Sequence, residues 1–161
     1  LFSAPGTYEL SVTATPPGGA QSVSDTVIIT VLESYSGWST RLLGAFSPAG
    51  RLPEADADGD GQVNLIEYVL GTDPAVHTAG PEMIISNGRL AIRYPVSKFI
   101  DPAIQIIPQI SNDLNTWQEG AGVLNLLVTG QTASTEIRIS EDAALLGSGA
   151  RKALRLKVIQ P

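Results

Sequence analysis

The feature that most constrains this chain is a set of three aspartates at two-residue spacing, Asp56, Asp58 and Asp60, in the segment DADGDGQVNLIE. Alternate side chains on a curled backbone converge on one point, where their charges repel one another unless a cation lies among them. Residues 54–73 hold six acidic residues and no Lys or Arg, whereas the other ten acidic residues equal the ten basic ones. This stretch therefore predicts a loop folded around a cation.

Residues 56–67, which we call the acidic loop, fit a twelve-residue calcium-binding pattern. Ca²⁺ is a hard cation that takes about six to eight oxygen ligands, and Mg²⁺ suits the loop less because it demands strict octahedral geometry. A glycine at the sixth place permits the sharp turn, the seventh residue gives its backbone carbonyl, the ninth binds directly or through water, and a glutamate closes the site with two oxygens. The predicted ligands are Asp56, Asp58, Asp60, Gln62, Asn64 and Glu67.

A purely structural interpretation of the same residues is compatible with calcium binding. Asn64 and Glu67 have the spacing of a capping box for a helix over 65–70 that ends at Gly71, and Asp-Gly pairs are common in turns. Capping does not explain three aspartates at alternate positions. We expect Asp73, before Pro74, to cap a turn, although an outer calcium ligand is the alternative.

The first thirty residues predict a β-hairpin. Apolar residues alternate at Tyr8, Leu10, Val12 and Ala14, and the pattern resumes at 27–31 after the turn residues Pro16-Pro17-Gly18-Gly19. Two strands alone are marginally stable in water. We expect the hairpin either to complete a sandwich with earlier strands or to pack on the residues that follow.

Residues 33–55 predict a linker with a short helix. Tyr35, Trp38 and Leu42 have helical spacing, Ser34 is placed as an N-cap, and Gly44 marks the end. Stacking on a ligand is one interpretation of Trp38, and packing on the apolar side of the helix is the other, which we favour.

Residues 80–161 predict an antiparallel β-sandwich, so the fold class is mainly β. Asn87-Gly88 between alternating runs is a strong signal for a two-residue hairpin. Pro108 places its strand at an edge or marks a bulge. Trp117 is expected to pack under a turn, with contact to a sugar as the alternative. The predicted strands are 83–85, 90–94, 104–110, 123–128, 135–139 and 153–159.

Two segments resemble known families. PGTYELSVTATPPGGAQSVSDTVIITV is similar to the last two strands of immunoglobulin-like domains of the polycystic-kidney-disease type, which implies that Tyr8 bonds to nearby backbone at a strand corner. DADGDGQVNLIEYVLGTDP resembles the EF-hand-like loop and helix of dockerins and thrombospondin type 3 repeats. Dockerins that bind cohesin use two such loops, and this chain has one.

Together with ISNDLNTWQEG and ARKALRLKVIQP, these segments resemble the C-terminal region of large exported bacterial surface proteins of the Verrucomicrobia or Planctomycetes type. The resemblance implies an extracellular or cell-surface location. The expected organisation is a partial immunoglobulin-like piece over 1–32, a linker over 33–55, the calcium loop with its exiting helix over 56–74, and the sandwich over 80–161.

Composition argues against several functional classes. The chain has no cysteine for a disulfide or thiolate site, no basic surface for nucleic acid, and no apolar run near the roughly 20 residues of a membrane span. Its single histidine, His77, has no ligand or catalytic partner at suitable spacing, so we expect a solvated loop residue and no enzyme. The start without Met or signal features indicates an internal or C-terminal fragment.

Three functions remain as hypotheses. The favoured one is a structural or linker module that binds calcium in a secreted multidomain protein. The others are a module that binds carbohydrate or protein at the cell surface, and a non-catalytic appendage of an extracellular polysaccharide-degrading enzyme.

Overall fold

The computed structural model describes residue 2 and residues 4–18, 21–148 and 151–161. These residues form a mainly β fold, which confirms the predicted class. In chain order the elements are β1 (Gly6–Ala14), β2 (Val23–Val31), α1 (Tyr35–Leu42), a short 3₁₀ helix (Ala49–Arg51), α2 (Asn64–Leu70), β3 (Glu82–Ser86), β4 (Arg89–Ser97), β5 (Gln105–Ser111), β6 (Leu124–Gln131), β7 (Thr135–Asp142) and β8 (Ala153–Ile159).

Strands β1 and β2 form the predicted antiparallel hairpin, in which Tyr8 lies opposite Ile29 and Leu10 opposite Val27. The last residue of the predicted turn, Gly19, lies outside the described residues. The hydroxyl of Tyr8 donates to the carbonyl of Ala4 at 2.8 Å, the kind of backbone contact expected of a tyrosine at a strand corner. The outer half of the apolar face is open, with Val12 exposed at 72% and Val23 at 70%.

The sandwich consists of a four-stranded sheet, ordered β3-β4-β7-β6, and a two-stranded sheet of β5 and β8. All pairings are antiparallel. Asn87 and Gly88 adopt φ of 50° and 74°, as the predicted hairpin turn between β3 and β4 requires. Pro108 lies in β5, whose only strand partner in the described sheets is β8, so the predicted edge position is confirmed.

The first hydrophobic core, which we call the sandwich core, lies between the two sheets. Its centre is Tyr94 on β4, which is 1% exposed and shares a hydrogen bond of 3.1 Å with the hydroxyl of Ser140. Its buried members are Leu70, Ile92, Tyr94, Val96, Ile110, Leu124 and Leu154. Leu70 belongs to α2, so the helix after the acidic loop contributes to the sandwich directly.

The second hydrophobic core, the helical core, joins α1 and α2 to one end of the sandwich. Its aromatic centre is Tyr35, Trp38 and Tyr68, whose ring centroids lie 5.5–5.6 Å apart. Trp38 is 5% exposed, which confirms the packing role. Residues 33–55 therefore form part of a core and are not a free spacer between domains. The reason is that the apolar side of α1 is large enough to need burial. The buried members are Tyr35, Trp38, Leu43, Tyr68 and Val69.

The local signals around α1 are confirmed. Ser34 is its N-cap, with the side-chain oxygen accepting a hydrogen bond of 3.2 Å from the backbone nitrogen of Gly37. Among the described residues, no helix has both the length and the apolar character needed to cross a membrane.

Candidate metal centre

The acidic loop is curled by hydrogen bonds from its own backbone to its aspartates. The two carboxylate oxygens of Asp56 accept from the nitrogens of Gly59 at 2.8 Å and Gly61 at 2.9 Å. Asp58 accepts from the nitrogen of Asp60 at 3.1 Å. Gly61 has φ of 93°, a conformation that side-chain-bearing residues rarely adopt, so the glycine at the sixth place is required. This curl turns alternate side chains inward.

The three aspartates converge as predicted. One carboxylate oxygen from each of Asp56, Asp58 and Asp60 lies within 4.8 Å of the other two. The second oxygen of Asp58 is buried and has no hydrogen-bond partner in the part of the chain that the structure describes. Like charges at this separation repel one another, and a cation between them removes that cost.

Glu67 lies in the first turn of α2, and its carboxylate is not part of the group of three that converges within 4.8 Å. It is 0% exposed, and neither of its carboxylate oxygens has a hydrogen-bond partner among the described residues. Burial, reinforced by the charges of Asp58, Asp60 and Asp56, raises the pKa of Glu67 to about 7. An ionised carboxylate left in this position is unfavourable, because burial penalises the charged form and its nearest charges have the same sign.

Asn64 is fully buried, and its side chain makes two hydrogen bonds. Its amide nitrogen donates to the carbonyls of Gly50 and Leu52, both at 2.9 Å, and so ties the loop to the turn after α1. Its amide oxygen has no hydrogen-bond partner within the described ranges.

The capping box considered for Asn64 and Glu67 is not formed. The N-cap of α2 is Val63, and Asn64 is already the first helical residue, so its side chain points to Gly50 and Leu52 instead of capping the helix. The predicted end of the helix is confirmed: Gly71 is the C-cap, and its nitrogen donates to the carbonyl of Glu67 at 2.8 Å.

Gln62 has a side-chain role that the sequence pattern does not contain. Its backbone nitrogen donates to Asp60 at 2.8 Å, and its side-chain nitrogen donates to the other oxygen of Asp60 at 3.0 Å. The backbone nitrogen of Thr78 also donates to Asp60, at 3.0 Å. These donors, led by Thr78, lower the pKa of Asp60. The ionised form of Asp60 is therefore favoured.

Asp73 and His77, which follow the loop in the chain, were each given a predicted role from the sequence. Asp73 accepts from the nitrogen of Ala75 at 3.0 Å, which confirms its role as a turn cap. His77 is exposed, as expected, but its ring nitrogen Nε2 contacts the carbonyl of Asp58. From the sequence, residues 77 and 78 were missed as neighbours of the loop, because Thr78 makes its shorter contacts through its backbone and its hydroxyl lies 3.4 Å from the side-chain nitrogen of Gln62.

The oxygen set fits a hard cation. The structure brings together three carboxylates, and the other predicted ligands that it describes include the buried oxygens of Glu67 and the buried amide oxygen of Asn64, without sulfur or imidazole. The unpaired buried oxygens are the independent sign of a missing partner, since buried polar atoms in native proteins are normally bonded. The acidic loop thus has the donors that calcium requires.

Comparison of the chain with protein-family models, with curated proteins and with solved structures gave no match in any of the three.

Proposed function

We propose that this chain is a calcium-binding structural module of a secreted or cell-surface multidomain protein. The observation that carries the proposal is Glu67, which is buried with both carboxylate oxygens unpaired among the described residues and whose pKa is raised by burial and by the charges of three nearby aspartates. A bound Ca²⁺ would supply the missing partner for these oxygens. Asp56, Asp58, Asp60 and Glu67 would hold it, together with the carbonyl of Gln62 and either Asn64 or a water next to it.

The position of α2 supports a mechanical role for the ion. Leu70 at the end of this helix belongs to the sandwich core, whereas Tyr68 and Val69 belong to the helical core. An ion that holds Glu67 would therefore fix the helix that both cores share. The same geometry favours an ion that stabilises the structure over one that switches a signal.

A calcium sensor would need features of another kind. Sensors of the EF-hand class open paired helix-loop-helix units and expose a methionine-rich groove. This chain carries one such loop, and its single methionine, Met83, lies on the edge strand β3. Extracellular modules commonly have dissociation constants of roughly 10⁻⁴–10⁻³ M, and millimolar calcium would occupy such a site in about half or more of the chains.

A module that binds protein at the cell surface is the second candidate function. The observation that favours it is the apolar face of the hairpin, which leaves Leu10, Val12, Val23 and Val27 exposed. Carbohydrate binding by Trp117 has less support, since the guanidinium of Arg155 lies 3.9 Å from the centre of its ring and covers one of its two faces. The role of a non-catalytic appendage stays a hypothesis.

Titration calorimetry of metal-free protein tests the proposed function. We expect one Ca²⁺ per chain, and a loss of binding in Glu67→Gln and in the double variant Asp56→Ala/Asp60→Ala. Glu9→Gln is a matched control, because Glu9 is an exposed residue of β1 on the hairpin. Absence of binding in the wild type, or binding that is unchanged in Glu67→Gln, would contradict the proposal.

A further inference from the structure

The segment that leads into β3 lies against the outside of the acidic loop. We call residues 77–80 the strap. The backbone nitrogen of Thr78 donates to Asp60 at 3.0 Å, and the carbonyl of Thr78 accepts from the side-chain nitrogen of Gln62 at 3.0 Å. His77 adds a contact from its ring to the carbonyl of Asp58. The strap therefore meets the loop at three of its positions.

Gln62 is the residue that joins the two segments. Its side-chain nitrogen lies 3.0 Å from an oxygen of Asp60 and 3.0 Å from the carbonyl of Thr78. Since Thr78 donates to the same oxygen of Asp60, the three groups form a closed set of hydrogen bonds. That set fixes the direction in which the carboxylate of Asp60 points.

The close approach of the strap also depends on Gly80. A Cβ atom at this position would lie 3.1 Å from the side-chain oxygen of Gln62 and 3.2 Å from its Cδ. Such contacts are tighter than ordinary van der Waals distances, and the same amide group of Gln62 is held in place because its nitrogen bonds to Asp60 and Thr78. A side chain at residue 80 would thus push against the amide of Gln62, which connects the strap to the acidic loop.

We propose that Gln62 is a positioning residue that couples calcium binding to the order of the strap. The inference rests on the proposed calcium site. With the ion bound, one oxygen of Asp60 faces the metal while the other accepts from Thr78 and Gln62. Without the ion, repulsion among the aspartates displaces Asp60, so both donors lose their acceptor and the strap separates from the loop. Outer hydrogen bonds of this kind orient a metal ligand and raise its affinity.

The first test uses Gln62→Met, which keeps the backbone carbonyl and nearly the length of the side chain but removes its amide. We expect its calcium dissociation constant to rise roughly tenfold, the lower end of the usual effect of losing an outer partner. In the wild type, calcium should slow amide hydrogen exchange in residues 77–80 at least tenfold, and Gln62→Met should abolish most of this protection. Gln105→Met is the matched control, on the exposed side of β5.

The second test separates positioning from general stability. Gly80→Ala should weaken calcium binding, whereas Gly147→Ala should not, because a Cβ at residue 147 meets nothing within 4 Å. The increase of the melting temperature on adding calcium should shrink in Gln62→Met, while the melting temperature in chelator stays near that of the wild type. If Gln62 had a purely structural role, the variant would instead have a lower melting temperature in chelator as well as in calcium.

The two proposals fail in different ways. If the wild type binds calcium but exchange in the strap is the same with and without the ion, the coupling is wrong and the calcium site stands. The coupling is also wrong if Gln62→Met binds calcium as tightly as the wild type. If the wild type binds no calcium, both proposals are overturned.

Discussion

The hydroxyl of Tyr68 donates a hydrogen bond to the carbonyl of Glu33, and this contact joins the helix after the acidic loop to the residue that follows the N-terminal hairpin and precedes α1. The same hydroxyl accepts from the backbone nitrogen of Asp101 at 2.8 Å. One side chain of α2 therefore satisfies backbone groups from two distant parts of the chain. Burial raises the pKa of Tyr68, so the hydroxyl remains protonated and can keep both roles.

Tyr68→Phe should lower the free energy of unfolding by about 1–3 kcal/mol, because it leaves the carbonyl of Glu33 and the nitrogen of Asp101 without their partner. Urea denaturation with calcium at saturation measures this. Tyr8→Phe is the control: its hydroxyl has one exposed contact, to Ala4, so its loss should cost less. Equal stability of Tyr68→Phe and the wild type would show that water replaces the hydroxyl without cost.

Removal of calcium should loosen residues 47–80 while the β-sheets persist. The reason is that repulsion among Asp56, Asp58 and Asp60 acts on the loop, whereas the sandwich core is held mainly by residues of the strands. Limited proteolysis in chelator should show new cleavage within 47–80, with little change in the far-ultraviolet β signal. At a hundredfold excess over the dissociation constant, calcium should stabilise the fold by about 2.7 kcal/mol. The mechanical role would be contradicted if chelator left cleavage in this window unchanged.

Metal-free protein should become less stable as pH rises from about 4.5 to about 7, through the contribution of Glu67. Its pKa is raised from 4.5 to about 7 on folding, so the folded chain binds the proton more tightly than the unfolded chain over this interval. Stability falls with pH wherever the folded state holds more protons. Glu67 therefore contributes most to the stability of the folded state below about pH 4.5, where it is protonated in both states. This contribution is lost as the pH rises to about 7.

Glu67→Gln isolates this effect, since glutamine is neutral at every pH. In chelator, the stability of the wild type relative to Glu67→Gln should decline steadily from pH 4.5 to pH 7, the window set by the pKa of Glu67. Denaturation curves of the two proteins at matched pH values provide the measurement. A difference that stays constant across the window would mean that Glu67 does not change its protonation on folding.

The exposed face of the hairpin should tolerate polar substitution. Val12→Thr changes a residue that is 72% exposed, and we expect a change within about 0.5 kcal/mol, as for most surface positions. Leu70→Ala, at a residue 1% exposed in the sandwich core, should cost about 2–5 kcal/mol. Thermal unfolding of both variants tests the contrast. A large loss in Val12→Thr would show that the hairpin face is covered in solution.

Local patterns carry much of the fold. Alternation of apolar residues predicts the strands, because side chains on a pleated strand point to opposite faces. The Asn87-Gly88 turn and the Ser34 cap follow from conformations and hydrogen bonds that those residue types favour. The candidate metal residues belong to the same category, since their spacing along one short loop is enough to bring Asp56, Asp58 and Asp60 together.

Contacts between distant segments were decided by tertiary structure alone. The sequence determined a curled acidic loop, a short exiting helix and a set of antiparallel strands, because each depends on residues within a few positions of one another. It did not determine that α2 would be shared by two cores, or that Asn64 would bind the turn at Gly50 and Leu52. Nor did it determine that Thr78 would donate to Asp60, since a backbone nitrogen is present at nearly every residue and only packing selects which one meets the carboxylate.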